Sequence, residues 1–421
     1  MPKYKAAAIS GMLLLCTTLP VAAQSTSQAL KERCIDITGK WSSGSYEALS
    51  VQAAGAARVL KNLSMVLEVT QQHGCHFSGV NRWSNGEIGG EEPVLGVLNP
   101  VGNWITIMEY EQHPEHGTSG RIFGRLTDSN HINWEYAAYS SDSARANVFS
   151  TILSRGDLPP VQENCPDLTG TWKSQAYNLV ELAGGEVNIR PGPQGSLTIE
   201  RQSACHFDGS ILWQDGDVAE TERVAGVLHT DGKLITVLGV GEHADKGTRA
   251  YVHAEIVGPS LLRWDFVGIS DDKAKGQAFA TNFARGGAAS AHQTCPVLIG
   301  KWSTGKWDGL EATERGMVER VSRDYKELQI EGQSGCTVWG KMHYGPRQNE
   351  AQGHADRIIG TVSGKDGLLI SRSVAPHPED GYEAIAVSRI QSENHMTTEY
   401  SGKLTTGGEV FVYLVDLKRK P

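Results

Sequence analysis

The sequence predicts an all-β protein made of three tandem eight-stranded antiparallel up-and-down barrels, and three observations carry that expectation. A motif recurs three times along the 421 residues at near-constant spacing. Cysteines fall at the same two places in every copy. Between them, short runs alternate apolar and polar residues and are broken by turn signals, the period of half-buried strands rather than of helices.

The repeat fixes the organisation. Cys34 to Thr38-Gly39-Lys40-Trp41 returns as Cys165 to Thr169-Gly170-Thr171-Trp172, and as Cys295 to Ile299-Gly300-Lys301-Trp302. Further on, Cys75-His76-Phe77-Ser78-Gly79 matches Cys205-His206-Phe207-Asp208-Gly209 and, more loosely, Cys336-Thr337-Val338-Trp339-Gly340. The cysteine separations within successive copies are 41, 40 and 41. Register across the copies therefore selects the disulfides Cys34–Cys75, Cys165–Cys205 and Cys295–Cys336, which require an oxidising compartment. The expected divisions are a leader at 1–23 and barrels at 24–156, 157–286 and 287–421, with linkers at Gly156–Asn164 and Gly286–Thr294.

The leader reads as a signal peptide. Lys3 and Lys5 precede an apolar core from Ala6 to Pro20, and Val21-Ala22-Ala23 forms a small-residue cleavage site before Gln24. That core falls short of the roughly 20 apolar residues that span a bilayer, so a periplasmic or secreted product without membrane insertion is expected. The net charge of −9 argues against nucleic acid and anionic membrane as partners.

In the second copy the strands read as Thr171–Ser174, Leu197–Gln202, His206–Trp213, Arg223–His229, Leu234–Val240, Arg249–Val257, Leu262–Gly268 and Gln277–Arg285. Short turns such as Asp231-Gly232 and Gly258-Pro259 make neighbours antiparallel hairpin partners. Closing the eight into a barrel removes the two edges that an open sheet would expose. The stretches Ser43–Val66, Lys173–Ser196 and Ser303–Glu327 join strands one and two. They are expected to overhang the open end as a lid or a loosely packed loop.

Several of these segments resemble calycin barrels, most closely the avidin–streptavidin branch. Thr38-Gly39-Lys40-Trp41 is similar to the avidin opening, Leu197-Thr198-Ile199 with Phe207-Asp208-Gly209 to its second and third strands, and Ile152-Leu153-Ser154-Arg155 to its last. The resemblance implies that Trp41, Trp172 and Trp302 each pack against a basic residue of the final strand across the closed end. Arg155 and Arg285 stand six residues after Phe149 and Phe279; the third copy offers Leu417 at that place, with Lys418 beside it. It also implies a ligand-lining role for Trp134 and Trp264 on strand seven, which Thr398 interrupts in the third copy. Biotin itself is not implied, because the avidin Tyr that meets its ureido group is replaced by Asn81, Ile211 and Met342.

The end opposite the disulfide gathers the candidate ligand-binding residues. Strand four carries Glu92, Glu222 and Asp356, each in line with an apolar face that should point inward. The turn between strands five and six repeats His113 with Glu115, His243 with Asp245, and His377 with Glu379. That turn equally suits a hairpin whose carboxylate satisfies its own amides, and Trp134 and Trp264 equally suit a packed core. A further acid, Glu135, Asp265 or Glu399, lies on the opposite strand face and is expected to pair across strands or between barrels.

An aromatic cup with an acid–His rim is what a small-molecule pocket needs. The leading expectation is a non-catalytic binding protein taking a small molecule or glycan at each open end. The alternatives are a protein-binding module such as a protease inhibitor, and an acid–His or metal-dependent enzyme. No cofactor and no catalytic or metal-ligating set is assigned. His113 with Glu115 and Glu92 could perform acid–base chemistry or hold a divalent metal, and His116 adds a ligand in the first copy only, without the spacing of a specific motif.

Overall fold

The computed structural model describes residues 34–52, 55–110, 118–140, 145–156, 165–229, 232–240, 248–270, 274–286, 294–313, 317–344, 355–363, 367–374, 382–404 and 409–421. The expected signal peptide and most of both linkers lie outside these residues. Among the described residues every regular element is a strand.

Barrel 1 contains β1 (Gly39–Ser43), β2 (Tyr46–Gln52), β3 (Arg58–His73), β4 (His76–Ser84), β5 (Gly89–Asn99), β6 (Trp104–Glu109), β7 (Thr118–Leu126), β8 (His131–Ser140) and β9 (Arg145–Arg155). Barrel 2 contains β10 (Gly170–Ser174), β11 (Asn178–Ala183), β12 (Glu186–Pro191), β13 (Gln194–Ser203), β14 (His206–Asp215), β15 (Val218–Leu228), β16 (Leu234–Val240), β17 (Thr248–Gly258), β18 (Leu261–Ser270) and β19 (Lys275–Ala284). Barrel 3 contains β20 (Gly300–Ala312), β21 (Val318–Ser334), β22 (Thr337–Tyr344), β23 (Ala355–Val362), β24 (Leu368–Val374), β25 (Tyr382–Ser392), β26 (His395–Leu404) and β27 (Val410–Arg419). Each is a closed ring of eight antiparallel strands, the first pairing with both the second and the last. All eight strands expected in the second copy are present, most of them longer by one to a few residues.

The segments between strands one and two are wall, not lid or loose loop. β2 pairs with β9 and β3, the β11–β12 hairpin pairs with β19, and the outer half of β20 pairs with both β21 and β27. Their alternation was masked because the apolar residues face outward, into neighbouring barrels.

The closed ends are built alike. Cα atoms of the three disulfides stand 5.2, 5.3 and 5.3 Å apart, within the bonding range. The buried Trp41, Trp172 and Trp302 donate their indole N–H to the carbonyls of Ile37, Leu168 and Leu298. Over them lie the guanidinium groups of Arg155 at 4.7 Å, Arg285 at 4.5 Å and Arg419 at 5.3 Å. The third cap is thus Arg419 rather than Leu417 or Lys418. Tyr413, not Phe411, is the counterpart of Phe149 and Phe279 in the strand ladder, and the same six-residue step from it reaches Arg419. The repeated Gly79, Gly209 and Gly340 are required here: a Cβ would sit 2.2, 2.0 and 1.9 Å from the facing carbonyl oxygen, beside a bulge in each case.

The barrels close into a ring. Leu49, Val51 and Val148 of barrel 1 meet Ala225, Val227 and Leu238 of barrel 2. Val180, Leu182 and Ala278 of barrel 2 meet Ile359, Ile370 and Val374 of barrel 3. Leu310, Ala312 and Val412 of barrel 3 meet Leu95, Val97 and Met108 of barrel 1. The same two faces are used each time, so the arrangement is a head-to-tail triangle with approximate threefold symmetry. The outward acids lie in these seams. Thr236 donates to Glu135 at 3.3 Å, Thr106 donates to Glu399, and Arg263 holds Asp265 at 3.2 Å while donating to the carbonyl of Val362 at 2.7 Å.

Candidate functional site

Equivalent residues of the three lumens can be matched through the ladders, and they form one layer at the end opposite the disulfide. Asn81 faces Glu92, Ile211 faces Glu222 and Met342 faces Asp356. One strand on, Glu109, Gly239 and Ser373 correspond. Trp83, Trp213 and Tyr344 stand opposite Met65, Gly195 and Lys326. Stacked rings complete the layer. Phe149 lies 4.7 Å from Tyr46 and 4.9 Å from Tyr136, and Phe279 lies 4.4 Å from Tyr177 and 4.6 Å from Phe266. In barrel 3, Tyr413 stacks 6.1 Å from Tyr400 and meets Trp307 edge-on at 4.6 Å.

The frame is shared and the charge is not. In barrel 1 Trp83 donates to Glu92 at 3.3 Å and Asn81 donates to Glu109 at 3.2 Å. The Glu109 carboxyl is held well above the usual carboxylate range, first by burial and then by the negative charge of Glu92. Burial and the neighbouring negative charge both favour the protonated form of Glu109. In barrel 2 Glu222 has Gly239 where barrel 1 has Glu109; it accepts from the Trp213 indole, and burial, helped by the charge of Glu220, pushes it up to about 7. Gly195 leaves room that the Trp213 ring occupies, 2.6 Å from where a Cβ would be.

Barrel 3 holds its own cation. Lys326 is 1% exposed, and its Nζ lies 3.6 Å from the Tyr400 ring centre, 4.9 Å from Tyr344, 5.2 Å from Trp307 and 5.8 Å from Tyr413. The Tyr344 and Tyr400 hydroxyls meet at 2.6 Å, and Ser373 lies 3.3 Å from Tyr400. Burial lowers the Lys326 ammonium to about 7, against the favourable charge of Asp356.

Glu92, Glu222 and Asp356 thus lie in the aromatic layer, Glu92 and Glu222 a few residues inside their strands and Asp356 second in its own. Trp134 and Trp264 are fully interior, one layer deeper. Their indole nitrogens are buried without a hydrogen-bond partner, as is that of Trp307. At the Thr398 position Ser388 and Thr398 bond each other at 2.8 Å. His113, Glu115, His243, Asp245, His377 and Glu379 lie outside the described residues, as does His116. Among the described residues no group of three or more His, Cys, Asp or Glu side chains gathers as a metal site.

Glu109 and Lys326 escaped the sequence reading, though each has a signal. Glu109 continues the inward face of Ile105 and Ile107, and Lys326 that of Leu328 and Ile330. A charge in register with a buried face is costly unless it is paired or neutralised, which marks the position as unusual.

No family model and no curated sequence matches the chain. Among solved structures, it is similar to a protein of unknown function of the DUF3598 family from Nostoc punctiforme. The match has 10% identity and a TM-score of 0.30, over 61% of this chain and 98% of that one. It is also similar to the isotype 1 transferrin binding protein B of serogroup B Neisseria meningitidis, with 12% identity and a TM-score of 0.20 over 91% and 76% of the two chains. A double mutant of transferrin binding protein B from Haemophilus parasuis matches with 8% identity and a TM-score of 0.23 over the same shares. Scores of this size leave the fold resting on the strand ladders above and assign no ligand to this chain.

Proposed function

We propose that this is an exported, non-catalytic binding protein whose barrels each hold a small organic ligand in the lumen, at the end opposite the disulfide. The observation that carries the reading is the set of indole N–H groups of Trp134, Trp264 and Trp307, buried with no acceptor beside a layer of rings and carboxyls. Buried donors are almost always paired in native proteins, so an acceptor on a ligand is the simplest partner. The ligand that fits has a flat apolar body, an acceptor for the indole, and a donor or cation for Glu92 or Glu222. Glycans meet this description as well as amines do. Biotin does not, because Asn81, Ile211 and Met342 line the wall where avidins present a Tyr. Three chambers of differing charge on one chain would bind three related ligands, or several groups of one polymer, with effective-concentration gain.

Native mass spectrometry of gently purified protein tests this. Retained small-molecule mass is expected, and Trp264→Phe should weaken retention in barrel 2 by about tenfold, the worth of one buried hydrogen bond. Three empty barrels that take up ring-bearing amines and saccharides without selectivity would overturn the proposal.

A further inference from the structure

Resting on that reading for barrel 3, we propose that Lys326 is a nucleophilic lysine that captures a small aldehyde with a flat apolar body, as a reversible imine inside the lumen. The geometry is that of a caged amine. Four rings surround Nζ, and no hydrogen-bond acceptor reaches it. A structural lysine in a core would be hydrogen-bonded to a carboxylate or carbonyl; the Nζ of this one lies against π faces instead. Met65 and Gly195 occupy its position in the other barrels, so neither the fold nor the closure of a barrel depends on it.

The surroundings suit the chemistry. With its proton affinity lowered by burial to about 7, a large share of the amine is unprotonated at neutral pH, as imine formation needs. The Nζ lone pair adds to the carbonyl carbon, and the π electrons move to oxygen, which takes the proton shed by nitrogen. The carbinolamine then loses that oxygen as water, with the second nitrogen proton, and the C=N bond closes. The linked hydroxyls of Tyr344, Tyr400 and Ser373, with Asp356 bonded to Tyr344, provide a relay for those protons. Trp307, Tyr400 and Tyr413 would stack on the ligand's flat body.

The test uses the full exported chain with benzaldehyde, and separately butanal, in the presence of cyanoborohydride, which reduces an imine to a stable amine. Peptide mass spectrometry then reads the site. At limiting aldehyde, Lys326 should be labelled about tenfold or more ahead of the surface lysines near pH 7, because those remain protonated. The advantage should shrink as pH rises towards 10, and benzaldehyde should outpace butanal. Lys326→Met should remove that label and leave the slow surface labelling. Folded protein that is labelled on its surface lysines while the Lys326 peptide stays unmodified would overturn the inference, whether the amine is inert or unreachable. Native mass spectrometry of Lys326→Met separates this from the broader reading: ligands retained by barrels 1 and 2 leave binding intact even when capture at Lys326 fails.

Discussion

Glu222 shows how one carboxyl reports on its chamber. Its proton is held more tightly in the folded chain than in the unfolded one, because burial opposes ionisation. The unfolded state therefore loses the proton first as pH rises, and folding stability falls between about 4.5 and about 7. Glu222→Gln should flatten that decline, by on the order of 2 kcal/mol once partial exposure is allowed for. Denaturant titrations at pH 4.5 and 7.5 would check it: the same slope in variant and parent would mean that the acid is solvated. This residue was legible in the sequence, since two-residue alternation places it in line with Val224 and Leu228. The neighbours that set its chemistry were not. Gly239 and Gly195 matter by what they lack, and only the ladder shows that their counterparts are Glu109 and Ser373, and Met65 and Lys326.

At the scale of elements, the strands that line a lumen were readable and the strands that line a seam were not. Leu49 and Val51, Val180 and Leu182, and Leu310 and Ala312 lie where a reader assuming one barrel at a time expects solvent. A strand buried on both faces loses its alternation, so β2, β11 and the outer part of β20 looked like connecting loops. The third cap failed for a related reason: Phe411 and Tyr413 are both aromatic and two residues apart, and sequence alone cannot choose between two registers with the same facing. β19 offers a test of how tightly the seams are built. A Cβ on Gly276 would stand 2.5 Å from Val374 and 3.0 Å from Ile359 of barrel 3. Gly276→Ala should cost about 1–3 kcal/mol as overpacking, read as a fall in thermal midpoint. An unchanged midpoint would show that the two barrels part without penalty.

Over the whole molecule, the disulfides and the seams divide the labour of stability. Each disulfide closes a loop of about 40 residues inside one barrel and contributes on the order of 3–4 kcal/mol by restricting the unfolded chain; none crosses a seam. What joins the barrels is apolar contact and buried polar groups. These include Arg121, whose guanidinium stacks 4.6 Å over Phe123 with no hydrogen-bond partner and is pushed down to about 10 by burial. The number of barrels and their disulfides could be taken from internal repetition alone. Their mutual docking could not, because a repeat says that units are alike and nothing of which faces they share.

That head-to-tail docking satisfies every greasy flank only because the last unit reaches back to the first. Deleting residues 287–421 would leave an arc with one unfilled socket on Leu95, Val97 and Met108 and one unfilled plug on Val180, Leu182 and Ala278. Such an arc fits its own copies end to end, so light scattering should show open chains growing with concentration while the full-length protein stays at a fixed size. A shortened chain that remained a lone pair of barrels would mean that the flanks are weaker glue than their chemistry implies.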